Sequence, residues 1–306
     1  MSNESFRHHY IPQFYQRRWT GPDKKLAVFQ HQHHGLIGRR MSTKATGRED
    51  RLYSLSALPP GRQDALEKLY MQQVDDVAAA VIQLFIDGSV QNGLSSEHSD
   101  GWSRFLMSLI HRTPRGIATI KAEFAKVWAE TPYTIDDKDR EDFEKIRTPK
   151  GPQTVEEHIA VMNDYCLEVG SYDMIHRLTE SEFLGTCLNG MRRSVFKFDD
   201  NQHDLLTSDQ PLSMRRGFGD PWFFLMIAIS PKHLFVCTNT DECMSDLQRQ
   251  MASGIVVLDY NATVCTNADR FVYGRSLSEL NFVRLHFKAR KDIQPRPMYV
   301  LGPAAE

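Results

Sequence analysis

The chain has 306 residues, 41% hydrophobic and 25% charged with a formal net charge of −2, proportions that let it bury a core and exclude a disordered or collagen-like polymer. Its longest apolar run, Trp222–Ile229, is eight residues, against the roughly 18 to 20 needed to cross a bilayer, so no membrane span is expected. The five cysteines are odd in number and form no Cys-x-x-Cys pair, which argues against a disulfide framework or a structural zinc site and makes a reducing cytoplasm the expected setting.

Glu4, Arg7 and His8 open the chain with no apolar stretch behind them, unlike a secretory signal. His8-His9-Tyr10-Ile11-Pro12-Gln13-Phe14-Tyr15-Gln16-Arg17-Arg18-Trp19 follows, unusually dense in imidazole, guanidinium and aromatic groups. Leu26–Gln30 and Gly35–Gly38 read as a hairpin whose turn carries His31, His33 and His34, and Arg51–Leu55 as a third short strand ended by Pro59-Pro60-Gly61. Apolar positions three and four apart predict a helix from Gln63 to about Phe85, capped near Gly88. A second long helix is expected to start at Ser99-Asp100-Gly101 and to bend at His111-Arg112-Thr113-Pro114, where proline removes a donor.

The acidic stretch 135–150 reads as an exposed connection or a short solvated helix, and Thr154-Val155-Glu156-Glu157 as a capping box for a helix to about Glu168. Another helix is expected over Tyr172–Leu178, extending to a stop at Asn189-Gly190. The last third changes period. Ser194–Phe198, Asp204–Thr207, Phe223–Ile229, His233–Thr238, Val283–Phe287 and Met298–Leu301 predict strands, with helices over 241–251 and Ala262–Val272. The expected architecture is a single α+β domain over 1–306: a β-rich segment 1–60, a helical segment 61–192 and a mixed segment 193–306. Its N- and C-terminal strands would share a sheet, with the helices packed against it.

Several of these stretches carry a resemblance. The opening motif, Leu52-Tyr53, Leu66-Glu67, Val74-Asp75, His111-Arg112-Thr113-Pro114, Thr207-Ser208-Asp209-Gln210-Pro211-Leu212, Ile229-Ser230-Pro231 and Asn261–Ala268 occur in the order seen in one bacterial family. The chain resembles the family catalogued as domain of unknown function 4238 over nearly its whole length. That family more often has asparagine at the position of Gln210 and glutamate at that of Asp75. The resemblance implies fold boundaries rather than an activity, since none is established for the family.

Charge and residue type suggest a site. Residues 1–51 hold ten Lys/Arg against four acids, together with five of the twelve histidines. A basic end of this kind suits nucleic acid or a phosphate-bearing ligand, or is screened by the acidic stretch. His8 or His9 could act as a general base, because imidazole titrates near neutral pH; the alternative is a histidine bonded in the core. Asp209 could orient that base, or Ser208-Asp209 could serve as turn chemistry. Arg112 could stabilise developing negative charge, or pair internally with Asp75 or Glu67. Tyr10, Arg18, Ser208 and His111 complete the expected substrate contacts.

His31-x-His33-His34 has metal-ligand residue types but no spaced acidic partner, so a solvated hairpin tip is the preferred reading and no metal ligand is assigned. Phosphate-loop, dinucleotide-binding, Gly-x-Ser-x-Gly and His-Glu-x-x-His motifs are missing. The functional expectation is therefore a phosphodiester-cleaving hydrolase for which a divalent metal is possible. The alternative is a non-catalytic module whose basic N-terminal hairpin binds nucleic acid or a protein. The sequence leaves the oligomeric state open.

Overall fold

The computed structural model describes residues 7–50, 52, 71–90, 93–130, 134–199, 203–252 and 255–290. Strand β1 (Arg7–His9) leads through Pro12 into a single turn of helix, α1 (Gln13–Gln16), and a 3₁₀ turn at Arg17–Trp19. The hairpin is longer than the apolar run alone suggested: β2 (Lys25–Gln32) pairs in full register with β3 (Gly35–Ser42), turning through His33-His34 to Gly35 at φ +106°. A short β4 (Arg48–Asp50) pairs with β1 and aligns His8 with Glu49. The strand expected over Arg51–Leu55, its Pro59-Pro60-Gly61 terminator and the first part of the helix expected from Gln63 lie largely outside the described residues.

The helices show where local signals decide. Helix α2 (Gln72–Asp87) ends as predicted, with Gly88 left-handed at φ +74° and its N–H bonded to the Leu84 carbonyl. Helix α3 (Ser96–His111) starts earlier than Ser99, because the Ser95 hydroxyl caps the His98 N–H at 3.2 Å. Ser99 and Asp100 instead bond the Asn189 amide at 3.0 and 2.6 Å. At Thr113 the chain breaks rather than bends: its hydroxyl caps α4 (Pro114–Ala129) by accepting from the Gly116 N–H at 3.1 Å.

The acidic stretch forms α5 (Asp137–Ile146), closed by a reciprocal capping box between Asp136 and Asp139. Thr154 caps α6, a single helix from Val155 to Thr179 in place of the two shorter ones expected. Its box is not reciprocal, since the Glu157 carboxylate accepts from the Gln153 N–H at 2.7 Å. Helix α7 (Glu182–Gly190) stops at the predicted Asn189-Gly190.

The remaining strands are β5 (Arg192–Lys197), β6 (Thr207–Ser208), β7 (Ser213–Arg215), β8 (Phe224–Ser230) and β9 (His233–Thr238), followed by α8 (Asp241–Ala252), α9 (Ile255–Asn267), β10 (Val272–Gly274) and α10 (Leu280–His286). Two expectations are corrected here. The helix expected over Ala262–Val272 ends at Asn267, and Val272 already belongs to a strand. Val283–Phe287, expected as a strand, lies mostly in α10, because Val283 and Phe287 are buried one helical turn apart while Leu285 stays 69% exposed. Met298–Leu301 lies outside the described residues.

Among the described residues the strands sort into two antiparallel four-stranded sheets and the β1–β4 ribbon: one sheet runs β5-β9-β8-β7, the other β3-β2-β10-β6. With its helices and antiparallel sheets, the fold is α+β. The larger apolar core packs Tyr15, Trp19, Phe85, Trp102, Phe105 and Phe235 between helices and strands, and a smaller one joins Phe29, Leu206, Val272, Val283 and Phe287. Among the described residues, no helix is long and apolar enough to cross a membrane.

Candidate functional site

The opening motif is first of all an anchor. The Tyr15 hydroxyl donates to the Ala228 carbonyl at 2.7 Å and lies 2.8 Å from the Thr207 hydroxyl, while the Trp19 indole donates to the Leu205 carbonyl at 2.7 Å. These bonds tie the opening motif to β8 and to the stretch that leads into Ser208-Asp209. The main-chain N–H groups of Tyr10 and Ile11 both donate to the Gly47 carbonyl, at 3.0 and 3.1 Å. Gly47 has φ +64°, and a β-carbon there would run into the Gln16 amide, so only glycine suits the position.

Asp209 is the hub. Its carboxylate is buried and accepts three main-chain N–H bonds, from Asp269 at 2.8 Å, Arg270 at 2.6 Å and Phe271 at 3.1 Å. Burial nevertheless outweighs these bonds and the nearby Arg115 and Arg270 charges, and pushes the carboxyl up to about 7. Ser208, also buried, accepts from the Gln210 N–H at 3.0 Å, as turn chemistry requires. The Tyr10 phenol is within electrostatic reach of Asp209, Tyr273 and Arg270, and burial raises its pKa well above the ordinary value. Its hydroxyl is buried with no hydrogen-bond partner.

The two halves of the His111-Arg112-Thr113-Pro114-Arg115 step diverge. Arg112, 1% exposed, turns to Asp75 and bonds its carboxylate at 2.8 Å, an internal pair. His111 and Arg115 turn to the other side, towards the Ser208–Leu212 turn. Arg115 pairs with Asp269, both almost fully buried, and the Asp269 carboxylate also accepts from the Gln210 amide at 2.9 Å. Three motifs distant in sequence thus meet around Asp209 and Asp269.

His111, Arg115, Thr119, Gln210 and Asn267 form the polar part of a cavity of about 120 Å³ whose other walls include Leu109, Ile120, Leu184, Leu212, Met214 and Phe218. Burial lowers the His111 imidazole to about 4, so it is neutral at physiological pH, and its Nε2 is buried without a hydrogen-bond partner.

The remaining expected residues sit apart from this cavity. His9 packs against the backbone of Thr43 and Lys44, and burial lowers its pKa. His8 is fully buried on β1, opposite Glu49. Arg18 is near Tyr15 and His233, and burial lowers its pKa. His31 bonds the Phe287 carbonyl at 3.0 Å, while His33 and His34 are exposed at the hairpin tip. Among the described residues, no group of three or more His, Cys, Asp or Glu side chains could hold a metal ion.

Sequence reasoning gives Arg115 and Asp269 no role, and names Gln210 only as part of the Ser208–Leu212 motif. The signal for Arg115 is its place one residue past Pro114, in the first turn of α4, where the sequence predicts only a bend. Asp269 carried none, being an isolated acid after a helix end.

Across residues 7–278 the chain matches the family described as Protein of unknown function (DUF4238). The chain belongs to that family. No curated protein and no solved structure shows a significant match. The part of this DUF4238 chain that carries the family match contains the Asp209 hub, the α3–α4 break and the cavity between them.

Proposed function

We propose that the chain binds a compact, largely apolar small molecule in the cavity between the α3–α4 break and the Ser208–Leu212 turn. The observation that carries this reading is His111: a neutral imidazole whose buried Nε2 lacks a partner, on the wall of a cavity otherwise rich in leucine, isoleucine, methionine and phenylalanine. Buried polar atoms are almost always satisfied, and a concave apolar pocket with a few convergent polar groups is the usual form of a ligand site. The test is a small-molecule panel followed by NMR. Binders should shift the His111 ring and the Met107 and Met214 methyl signals in the wild type, and Leu184→Trp, which fills the cavity, should abolish those shifts. A panel that leaves these signals unmoved at saturation rules the reading out.

A second reading keeps the hydrolase acting on phosphodiesters, with His8 or His9 as base, Asp209 orienting and Arg112 or Arg18 meeting negative charge. It is favoured by one observation, a carboxyl held near neutrality beside the buried Tyr10 hydroxyl. In its support, Arg48, Glu49 and Phe271 line an open groove, and the Phe271 main-chain N–H donates to the Asp209 carboxylate. Against it, Arg112 is engaged by Asp75. Cleavage of a phosphodiester reporter by the wild type, across several divalent metals, and its loss in His8→Ala, His9→Ala and Asp209→Ala variants that still fold would carry it. Equal activity in all of them removes it. Binding of nucleic acid through the basic hairpin would instead appear as affinity that falls steeply with salt.

A further inference from the structure

The cavity also constrains the charge of its occupant, an inference that rests on the ligand-binding reading above. Among the described residues of its walls, only His111 and Arg115 carry titratable side chains. Arg115 is already neutralised by Asp269, and both side chains are at most 5% exposed. Gln210 commits its amide N–H to the same carboxylate. An anion entering here would compete with a carboxylate fixed against the guanidinium. A cation would find no acid among the described wall residues. Bringing either out of water without a counter-charge is costly.

One wall residue, His111, holds an imidazole nitrogen that is buried without a hydrogen-bond partner. Neutral imidazole presents Nε2 as donor or as acceptor, depending on its tautomer. A hydroxyl does both and so satisfies Nε2 either way. The volume, about 120 Å³, is on the scale of the roughly 150 Å³ apolar cavities that take up benzene. Met107, Met214 and Phe218 give walls able to adjust to a flat ring.

We propose that this pocket takes an uncharged ring or short aliphatic body carrying a single hydroxyl, a phenol or compact alcohol, with the hydroxyl on His111 Nε2 and the body against Leu109, Leu184 and Phe218.

The experiment is equilibrium binding of four probes to the full chain at neutral pH: phenol, toluene, benzoate and benzylamine. Phenol should bind tightest, toluene more weakly, and the two ions at least about tenfold more weakly than phenol. In His111→Phe the phenol affinity should fall to that of toluene, while toluene itself is retained, which reports that the pocket still forms. Benzoate or benzylamine binding as tightly as phenol would overturn the uncharged-ligand assignment and leave the pocket reading standing. An unchanged preference for phenol in His111→Phe would overturn the role given to His111. If no probe binds, toluene included, the pocket reading fails with it.

Discussion

The main-chain N–H of Arg270 donates to the Asp209 carboxylate at 2.6 Å, between the donations of Asp269 and Phe271 at 2.8 and 3.1 Å. The turn from α9 into β10 is therefore built around one buried carboxyl group that accepts three hydrogen bonds. Removing it leaves three amides to find other partners in the interior. Asp209→Ala should lower unfolding stability by about 3 kcal/mol, and Asp209→Asn by about 2 kcal/mol because one oxygen survives. Urea denaturation with an unchanged slope would check this, and a loss below about 0.5 kcal/mol for Asp209→Ala would show that the turn stands without its acceptor.

Two buried groups give opposite pH dependences. Asp209 is raised in the fold from 3.8 to about 7, so its stabilising contribution is present below the unfolded value and lost as pH rises towards 7. His111 is lowered from 6.5 to about 4, so its contribution is present above 6.5 and lost as pH falls towards 4. Each slope is at most about 1.4 kcal/mol per pH unit. Between pH 4 and 6.5 they oppose one another. Stability measured across that window should be flatter for the wild type than for Asp209→Asn or His111→Gln. The Asp209→Asn curve should climb with pH and the His111→Gln curve should fall.

Two tyrosines of the opening motif should respond in different ways to loss of the hydroxyl. Tyr15→Phe gives up the bonds to Thr207 and Ala228 and should cost about 2 kcal/mol. Tyr10→Phe removes a buried hydroxyl that has no hydrogen-bond partner, so stability should stay level or rise by up to about 1 kcal/mol. Thermal unfolding of both variants in one buffer tests the contrast. A Tyr10→Phe loss equal to that of Tyr15→Phe would show that the Tyr10 hydroxyl is engaged.

Arg112 and Asp75 tie α3 to α2. Asp75→Ala takes a carboxylate from a guanidinium that is 1% exposed and should cost about 3 kcal/mol. The double variant Asp75→Leu with Arg112→Met should recover most of that loss, because the desolvation cost of both ions disappears together. A double variant no more stable than the single one would mean that the pair is favourable in its own right.

Gly47 offers a test of backbone geometry. At φ +64° and against the Gln16 amide, Gly47→Ala should destabilise by more than about 1 kcal/mol, since the added β-carbon meets both a disfavoured conformation and a filled space. Circular dichroism melting is sufficient to read it.

The caps at Thr154 and Gly88 were legible because a cap depends on residues within about four positions, whereas Thr113-Pro114, which reads locally as a bend in one helix, ends α3 and caps α4. The strands Arg192–Lys197, Phe224–Ser230 and His233–Thr238 were legible from alternation and from the proline turn between the last two. Val283–Phe287 was not. Apolar residues at 283, 285 and 287 fit period two, whereas the smaller core, which gathers Cys265 and Ala268 with Val283 and Phe287, accepts only the first and last of them and so selects a helix.

The candidate site divides along the same line. Sequence by itself marked the opening motif, the His111–Pro114 step and Ser208-Asp209 as candidate stretches, since each concentrates polar chemistry beside turn or helix signals. Only tertiary structure decided which side chain in each stretch turns inward. At the α3–α4 break, Arg112 and Arg115 differ by three positions, yet one faces Asp75 and the other Asp269. Their directions follow from how two helices are set against each other by the core. That angle is fixed by packing among residues far apart in the chain and leaves no mark in the local sequence.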